Sequence, residues 1–453
     1  MIAIVESRAD RASTHICSFL LEEGDWEAKS DDSRPDADGG GTYYRTEGFE
    51  LRSFETRHLD LERPVDAFEC DPDLLVFASK HAGDTGALLT AHFTGNFGPA
   101  EYGGDDYALA ETCPNAHAKL LEAFDEHAPE AYDVGMECTH HGPTDVGCPS
   151  LFVELGSDEP QWEDPDGARA VARSILELGD PERRDVTPHR KRQVVGFGGN
   201  HYVPRYQRIV EETPWAVGHI ASEWALEDMG DPEQHRDVID SAFETSGTEL
   251  AVVEGTWPKL ESVIDDLGYE IASETWLREV GDRPIDLVRA IESELVRVEE
   301  GIRFGEKRVD LEDGEAADEA FSAVQLPAEL IDTAEGIDPD RVRKSVEANT
   351  IAFTTENGGS RVGSTAAFTS ETVPPALIES LASVLEEKYD RVRLEDETVV
   401  AEERAFDPAL AAEAGVPEGP KFGALANGSS VTVDGKAINP EDVRTDRTEY
   451  FPL

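Results

Sequence analysis

Lysine is scarce in this chain. Only ten of its 40 basic residues are Lys, set against 97 acidic residues, and the formal net charge over 453 residues is −57. That balance excludes a broadly cationic surface, and the acidic residues are spread along the chain rather than packed into a tail. It fits a cytosol of molar salt, as in a halophilic archaeon, where the Debye length falls to about 3 Å and self-repulsion costs little. Cysteine is sparse too: Cys17, Cys70, Cys113, Cys138 and Cys148 form no CxxC pair, and their odd number argues against a disulfide framework. No apolar run approaches the roughly 20 residues of a membrane span. The opening "MIAIVESRADRAS" lacks a basic region followed by a long apolar stretch, so no signal peptide is expected, and a cytoplasmic location with no membrane partner fits best. Histidine is missing after His235, and cysteine after Cys148. A soft-metal site or a histidine base therefore belongs upstream.

What is present is an alternation of strand and helix signals. "IAIV" reads as a strand and "RASTHICSFLLEEG" as a helix closed by Gly24, and "KSDDSRPDADGGG" reads as a loop. "DLLVFAS" and "ALLTAHFT" are apolar strands, "NAHAKLLEAFDEH" a helix, "LFVEL" a strand, and "GARAVARSILELG" a helix. "QVVGFGG", "PEQHRDVIDSAFETS" and "TELAVVEG" continue the series. Such alternation predicts an α/β sheet with helices on both faces. Past residue 280 the texture changes, with an acid-rich "DLEDGEAADEA" and strand-like "NTIAFTTE" and "RVGSTAAFTS". These boundaries predict a catalytic domain over 1–280 and a smaller α+β accessory domain over 281–453.

Four stretches compete for the chemistry. "SKHAGDTGALLTAHFTGNFG" places His81 and His92 at strand ends, where α/β sheets bind ligands. "GMECTHHGPTDVGCPSLFVELGS" gathers Glu137, His140, His141, Thr144 and Glu154. On an extended backbone His140 and His141 point to opposite sides and take different tasks. "VVGFGGNHYVPRY" presents His201 after a glycine pair, and "WAVGHIASEWAL" contains His219. A hydrolytic zinc site needs three His or carboxylate ligands and one open position. His81, His92, Glu137, His140, His141 and His201 can supply these, although no HExxH spacing is present. His15, His58, His117, His127 and His235 read as hydrogen-bonded structural residues, and Cys138 and Cys148 as small buried hydrophobes. "GFGG" completes no phosphate-loop motif. "PERRDVTPHRKRQ" packs Arg183, Arg184, Arg190, Lys191 and Arg192 just before the third stretch, with Arg205 beyond it. This basic approach suits a polyanionic substrate, held by Arg–phosphate hydrogen bonds and stacking on Tyr202 or Tyr206.

Together, "FASKHAGDTGALLTAHFTGNFG", "GMECTHHGPTDVGCPSLFVELGS" and "GFGGNHYVPRY" resemble the D-aminoacyl-tRNA deacylase family of the archaeal and plant type over roughly residues 1–275. The resemblance implies a fold like the phosphorylase/peptidyl-tRNA hydrolase type and a zinc-dependent hydrolysis of the ester between a D-amino acid and tRNA. It also implies one or two zinc ions per subunit, D-aminoacyl-tRNA rather than DNA as partner, and a monomer or small homo-oligomer. Carried over by motif, it implies catalytic roles for Lys80, Glu137, His141, Thr144 and Glu154. His81, His92, His140 and His201 are the expected metal ligands, and Asn96, Asn200 and Tyr202 join the basic residues in binding substrate. Lys80 stands where the family more often has Arg, which keeps charge without the bidentate fork, and Asn200 stands where Gly is commoner. A zinc peptidase or amidohydrolase and a non-catalytic tRNA-binding protein are the alternatives. The charge balance makes one prediction directly: dialysis from molar KCl into dilute buffer lowers the melting temperature. An unchanged transition by calorimetry would contradict adaptation to salt.

Overall fold

The apolar run at the start of the chain becomes strand β1 (Ile2–Ser7), buried along most of its length. In the computed structural model, which describes residues 1–69, 71–179, 192–309, 311 and 316–453, the chain divides into two units, Met1–Gly281 and Asp282–Leu453.

In the first unit β1 leads into helix α1 (Arg11–Glu23), whose Asp10 side chain caps Ser13 N–H. Three strands follow: β2 (Glu27–Asp31), β3 (Gly41–Thr46) and β4 (Phe49–Phe54). Then come β5 (Leu74–Lys80), β6 (Leu88–His92), α2 (Pro114–His127), β7 (Asp133–Met136), β8 (Ser150–Gly156), α3 (Glu159–Trp162) and α4 (Pro165–Glu177). The eight strands form one mixed sheet in the order β2-β3-β4-β1-β5-β8-β6-β7. Strands β4, β1, β5 and β8 are parallel, whereas β6 runs antiparallel to β8 and holds β7 parallel on its outer side. Helices α1, α2 and α4 pack on one face, α1 against β5 and α4 against β8. On the opposite face Ala3, Val5, Leu75, Phe77 and Phe152 meet Leu61, Ala67, Ala110 and Val146 from 3-10 turns and loops. Phe77 and Phe152 stack there at 4.7 Å, and each such buried ring contributes about 1.5–3 kcal/mol.

A second, parallel sheet has the order β10-β9-β11-β12. Its elements are β9 (Gln193–Phe197), α5 (Pro204–Glu212), β10 (Ala216–Ala221), α6 (Glu223–Met229), α7 (Arg236–Ser246), β11 (Leu250–Val253), α8 (Pro258–Asp266), β12 (Glu270–Ile271) and α9 (Glu274–Val280). Helix α2 touches both β6 and β10, tying the two sheets together. The second unit contains the four-stranded antiparallel sheet of Ile302–Phe304, Ala352–Glu356, Arg361–Phe368 and Ser322–Gln325. Helices Ala328–Glu335, Pro339–Asn349 and Pro375–Leu385 share its core. Alternating α/β in the first unit and α+β in the second agree with the sequence patterns.

The stretch read as a loop over 29–41 needs correction, because Lys29, Ser30 and Asp31 belong to β2. An edge strand with both faces near water shows no apolar alternation, so its polar sequence resembles a loop. Strand β4 is masked differently, by Glu50 and Arg52 lying inside a fully buried strand. Arg52 Nε donates to Glu50 Oε1 at 2.7 Å and its Nη1 to Asp31 Oδ2 at 2.7 Å, and the guanidinium sits 4.1 Å over the Tyr43 ring. Replacing Arg52 by Met leaves buried Glu50 with Arg45 as its remaining guanidinium partner, and stability should fall by about 2 kcal/mol. Denaturant titration in molar KCl checks this, and an unchanged midpoint would show that the pair holds nothing.

Candidate functional site

Two strand ends and one tight segment bring the histidines together. His92 closes β6, and the chain beyond β7 runs Glu137-Cys138-Thr139-His140-His141. Backbone bonds fasten this segment on both sides: Glu137 N–H to Ala91 O, Cys138 N–H to His201 O, Thr139 N–H to Ile220 O, and Gly95 N–H to His141 O, at 2.8–3.1 Å. His141 sits at φ +47°, a left-handed conformation costing about 1–2 kcal/mol for a residue with Cβ. This turn corrects the expectation that His140 and His141 face opposite ways. Their ring centroids are 4.4 Å apart, and each lies within 4.7 Å of the His92 ring.

Each of the three rings gives its Nδ1 proton to a carbonyl: His92 to Phe93 O at 3.0 Å, His140 to Cys138 O at 2.9 Å, and His141 to Gly142 O at 2.9 Å. A carbonyl only accepts, so Nδ1 carries the hydrogen and the Nε2 lone pair is left free. Nε2 of His92 is buried without a hydrogen-bond partner. Burial, then the neighbouring imidazoles, hold His140 well below the usual histidine range and bring His141 down to about 4. These are neutral imidazoles, the form that binds metals.

Beside this trio lies an ionised group. His201 Nε2 donates to Glu137 Oε2 at 2.6 Å, and His81 Nδ1 is 3.2 Å from Glu137 Oε1 and 3.5 Å from Glu154 Oε2. Burial opposes charge on His81, but Glu137 and Glu154 outweigh it and raise the imidazole to about 9. His201 rises to about 10, as Cys138 and Glu137 overcome its burial. Burial likewise opposes charge on Glu137, yet His201 and His81 bring it well below the usual carboxylate range, and His81 and His92 lower Glu154. Gly156, at the end of β8, lets His81 approach: a Cβ there would lie 2.5 Å from that of His81.

The remaining expected site residues fall into three groups. Tyr202 reaches the cluster, its hydroxyl 3.3 Å from His81 Nε2, and the exposed Lys80 ammonium lies 5.0 Å over the Trp162 ring, whose indole donates to His81 O. Asn96, Thr144, Asn200 and Arg205 hold the scaffold. Asn96 donates to Gly103 O and Asp105 O, Thr144 Oγ1 accepts from Asp105 N–H, and Asn200 Oδ1 accepts from Tyr202 and Val203 N–H. Arg205 pairs with Glu274 and donates to Val253 O. Arg192 bonds Gly281 O and covers the Trp215 ring at 5.8 Å. Arg183, Arg184, Arg190 and Lys191 lie outside the described residues.

Tyr206 is buried with its hydroxyl on Phe197 O and Val252 O, so it offers no stacking face. Both ring nitrogens of His219 are engaged, with Thr139 and Ala110 O. His15, His58, His117 and His127 each have a hydrogen-bond partner, and His235 stacks on Tyr107. The glycine pair of "GFGG" makes room for Glu254, whose carbonyl would meet a Cβ on Gly198 at 2.0 Å. Two residues were missed: Cys138, buried with Sγ 3.6 Å from His201 Nδ1, and Trp224, whose ring faces that of His201 at 6.4 Å. "SEWAL" drew no attention beside a nearby histidine, and Cys138 lacked a second cysteine at ligand spacing.

Three groups among the described residues have ligand atoms within 4.8 Å of one another: His92/His140/His141, Cys138/His140/His201 and His81/Glu137/Glu154. The first fits a divalent cation best. Each of its rings has Nδ1 on a backbone carbonyl, which leaves Nε2 as the ligand atom, and Nε2 of His92 is buried without a hydrogen bond.

A family model for D-aminoacyl-tRNA deacylase matches residues 68–272. Proteins named D-aminoacyl-tRNA deacylase from Halorubrum lacusprofundi and Natronomonas pharaonis are 51% and 52% identical to this chain, covering all of it and 97% and 100% of their own lengths. The one from Haloarcula marismortui is 47% identical over the whole of both chains. Among solved structures, that of a conserved protein of unknown function, AF0625, superposes with a TM-score of 0.53 at 26% identity, covering 61% of this chain and 96% of that one. No helix among the described residues is long and apolar enough to cross a membrane. With full-length identity of this order to three such proteins, the chain belongs to the D-aminoacyl-tRNA deacylase family.

Proposed function

We propose that this chain hydrolyses the ester bond of D-aminoacyl-tRNA in the cytoplasm, releasing the D-amino acid and free tRNA, with the histidine–glutamate cluster as its active centre. The observation that carries this reading is the division of one cluster into neutral imidazoles beside a hydrogen-bonded carboxylate and two protonated imidazoles. Ester hydrolysis needs both parts: an electrophilic centre and a proton relay.

His92, His140 and His141 would hold the metal, which we assign as zinc from the all-imidazole donor set. Cys138 with His201, or Glu137 with Glu154, would support a second ion. What zinc supplies when bound is Lewis acidity toward the ester carbonyl and a lowered pKa for water. Glu137 Oε2 takes the proton from the attacking water as the new C–O bond forms. His201 Nε2, 2.6 Å from that oxygen and on a side chain 32% exposed, is the most open of these groups. It returns a proton to the ribose oxygen as the ester bond breaks. Tyr202 and Glu154 orient His81, and Lys80 beside it offers a cation to the developing oxyanion or to a phosphate. The basic residues Arg183, Arg184, Arg190 and Lys191 would meet the acceptor stem, and the unit after residue 281 would be accessory.

D-tyrosyl-tRNA and L-tyrosyl-tRNA assayed side by side in concentrated KCl test this reading. Release of D-tyrosine alone, abolished by a chelator that strips bound metal, is expected. Equal release of both would reject stereospecific hydrolysis, and indifference to metal removal would reject the metal role. Glu137→Gln preserves shape while removing the base, so kcat should drop by about 10²–10⁴ in a protein that still folds in molar KCl. Wild-type turnover in that variant would remove Glu137 from the chemistry.

A further inference from the structure

Two aromatic side chains at the edge of the cluster have no structural explanation. Large hydrophobic residues are rarely left open in this fold, yet Trp224 is 42% and Tyr102 67% exposed, and among the described residues they are the two exposed aromatics of the first unit. Trp26, Trp162, Trp215 and Trp257 each donate their indole N–H to a backbone carbonyl. The Trp224 indole has no such partner among the described residues. It stands in α6, directly after β10, its ring 29° from parallel with that of His201. A small pocket opens between it and His140, His141, Asn96 and Gly98. Tyr102 borders the same segment, its carbonyl accepting from Gly142 N–H at 3.0 Å, next to His141.

The charge of the chain gives these rings a purpose. In molar salt a net charge of −57 is screened within about 3 Å, and the counterion-release gain of phosphate contacts is small. Base–aromatic stacking is sequence-tolerant and does not depend on that gain, supplying about 1–3 kcal/mol per base. The ester sits at the unpaired 3′ end of tRNA, so free bases adjoin the reacting bond. An open indole against an active-site imidazole fits a nucleobase. It does not fit a lipid or a peptide, for which a wider apolar surface would be needed.

Resting on the reading of the site as a tRNA-ester hydrolase, we infer that Trp224 is the stacking platform for the terminal base of the substrate, with Tyr102 a second platform for the unpaired base before it. Trp224 is a positioning residue: holding the base sets the ester against the histidine cluster. Two measurements in molar KCl test it. With D-tyrosyl-tRNA, Trp224→Ala should lose about 10–100-fold in kcat/KM, the loss expected of one stacked base, mainly through KM. Trp224→Phe, which keeps a stacking face, should recover most of it. Separately, a short oligoribonucleotide ending in CCA should quench the intrinsic fluorescence of the wild-type protein, and most of that quench should vanish in Trp224→Phe. Wild-type kcat/KM in Trp224→Ala, or an unchanged quench in Trp224→Phe, would overturn the inference. The quench requires no turnover, so it separates failure here from failure of the hydrolase reading, which would show as a wild-type protein that binds CCA ends and leaves D-tyrosyl-tRNA intact.

Discussion

Burial of charge governs this site. Five imidazoles and two carboxylates share a largely buried space, open mainly at His201, and the buried groups must be neutral or paired. His92, His140 and His141 stack too closely to be protonated together, and their backbone carbonyl partners fix the tautomer that leaves Nε2 free. Glu137, with a side chain showing no exposure, is the opposite case. Its charge persists because His81 and His201 stand against it. One environment thus drives neighbouring histidines apart in proton affinity.

The backbone around the cluster bears the cost of that arrangement. His141 at φ +47° and Val203 at φ +40° are both side chains with Cβ held in the left-handed region, one in each segment that delivers site residues. Val203 is β-branched, for which this conformation is an outlier. Asn200 bonds the turn before it, and Asn96 and Thr144 brace the 103–105 loop. These residues act on the chemistry through geometry.

Much of this was legible in the sequence because strand ends leave a clear trace. The apolar runs before His81 and His92 and the glycine pair before His201 placed those residues beside a ligand crevice, and the structure brings them together. What stayed hidden had local physical reasons. Strand β2 is a polar edge, and β4 buries Glu50 and Arg52 in an ion pair, so neither shows an apolar period. A left-handed turn at His141 has no sequence signature when the residue is not Gly or Asn, so two histidines expected to diverge instead share one cluster. The neutrality of His140 and the protonation of His201 depend on neighbours far apart in the chain, which no local motif records. Arg205 pairs with Glu274, a partner too distant in the chain for any local pattern to record.

Binding tests the cation site on His92, His140 and His141 without any assay of turnover. Zinc titrated calorimetrically into chelator-stripped protein in molar KCl should bind tightly and release heat, and His92→Ala, which removes a buried ring nitrogen without a hydrogen bond, should abolish that strong phase while the protein stays folded. Absence of zinc binding by the wild-type chain, or equal binding by His92→Ala, would contradict the account.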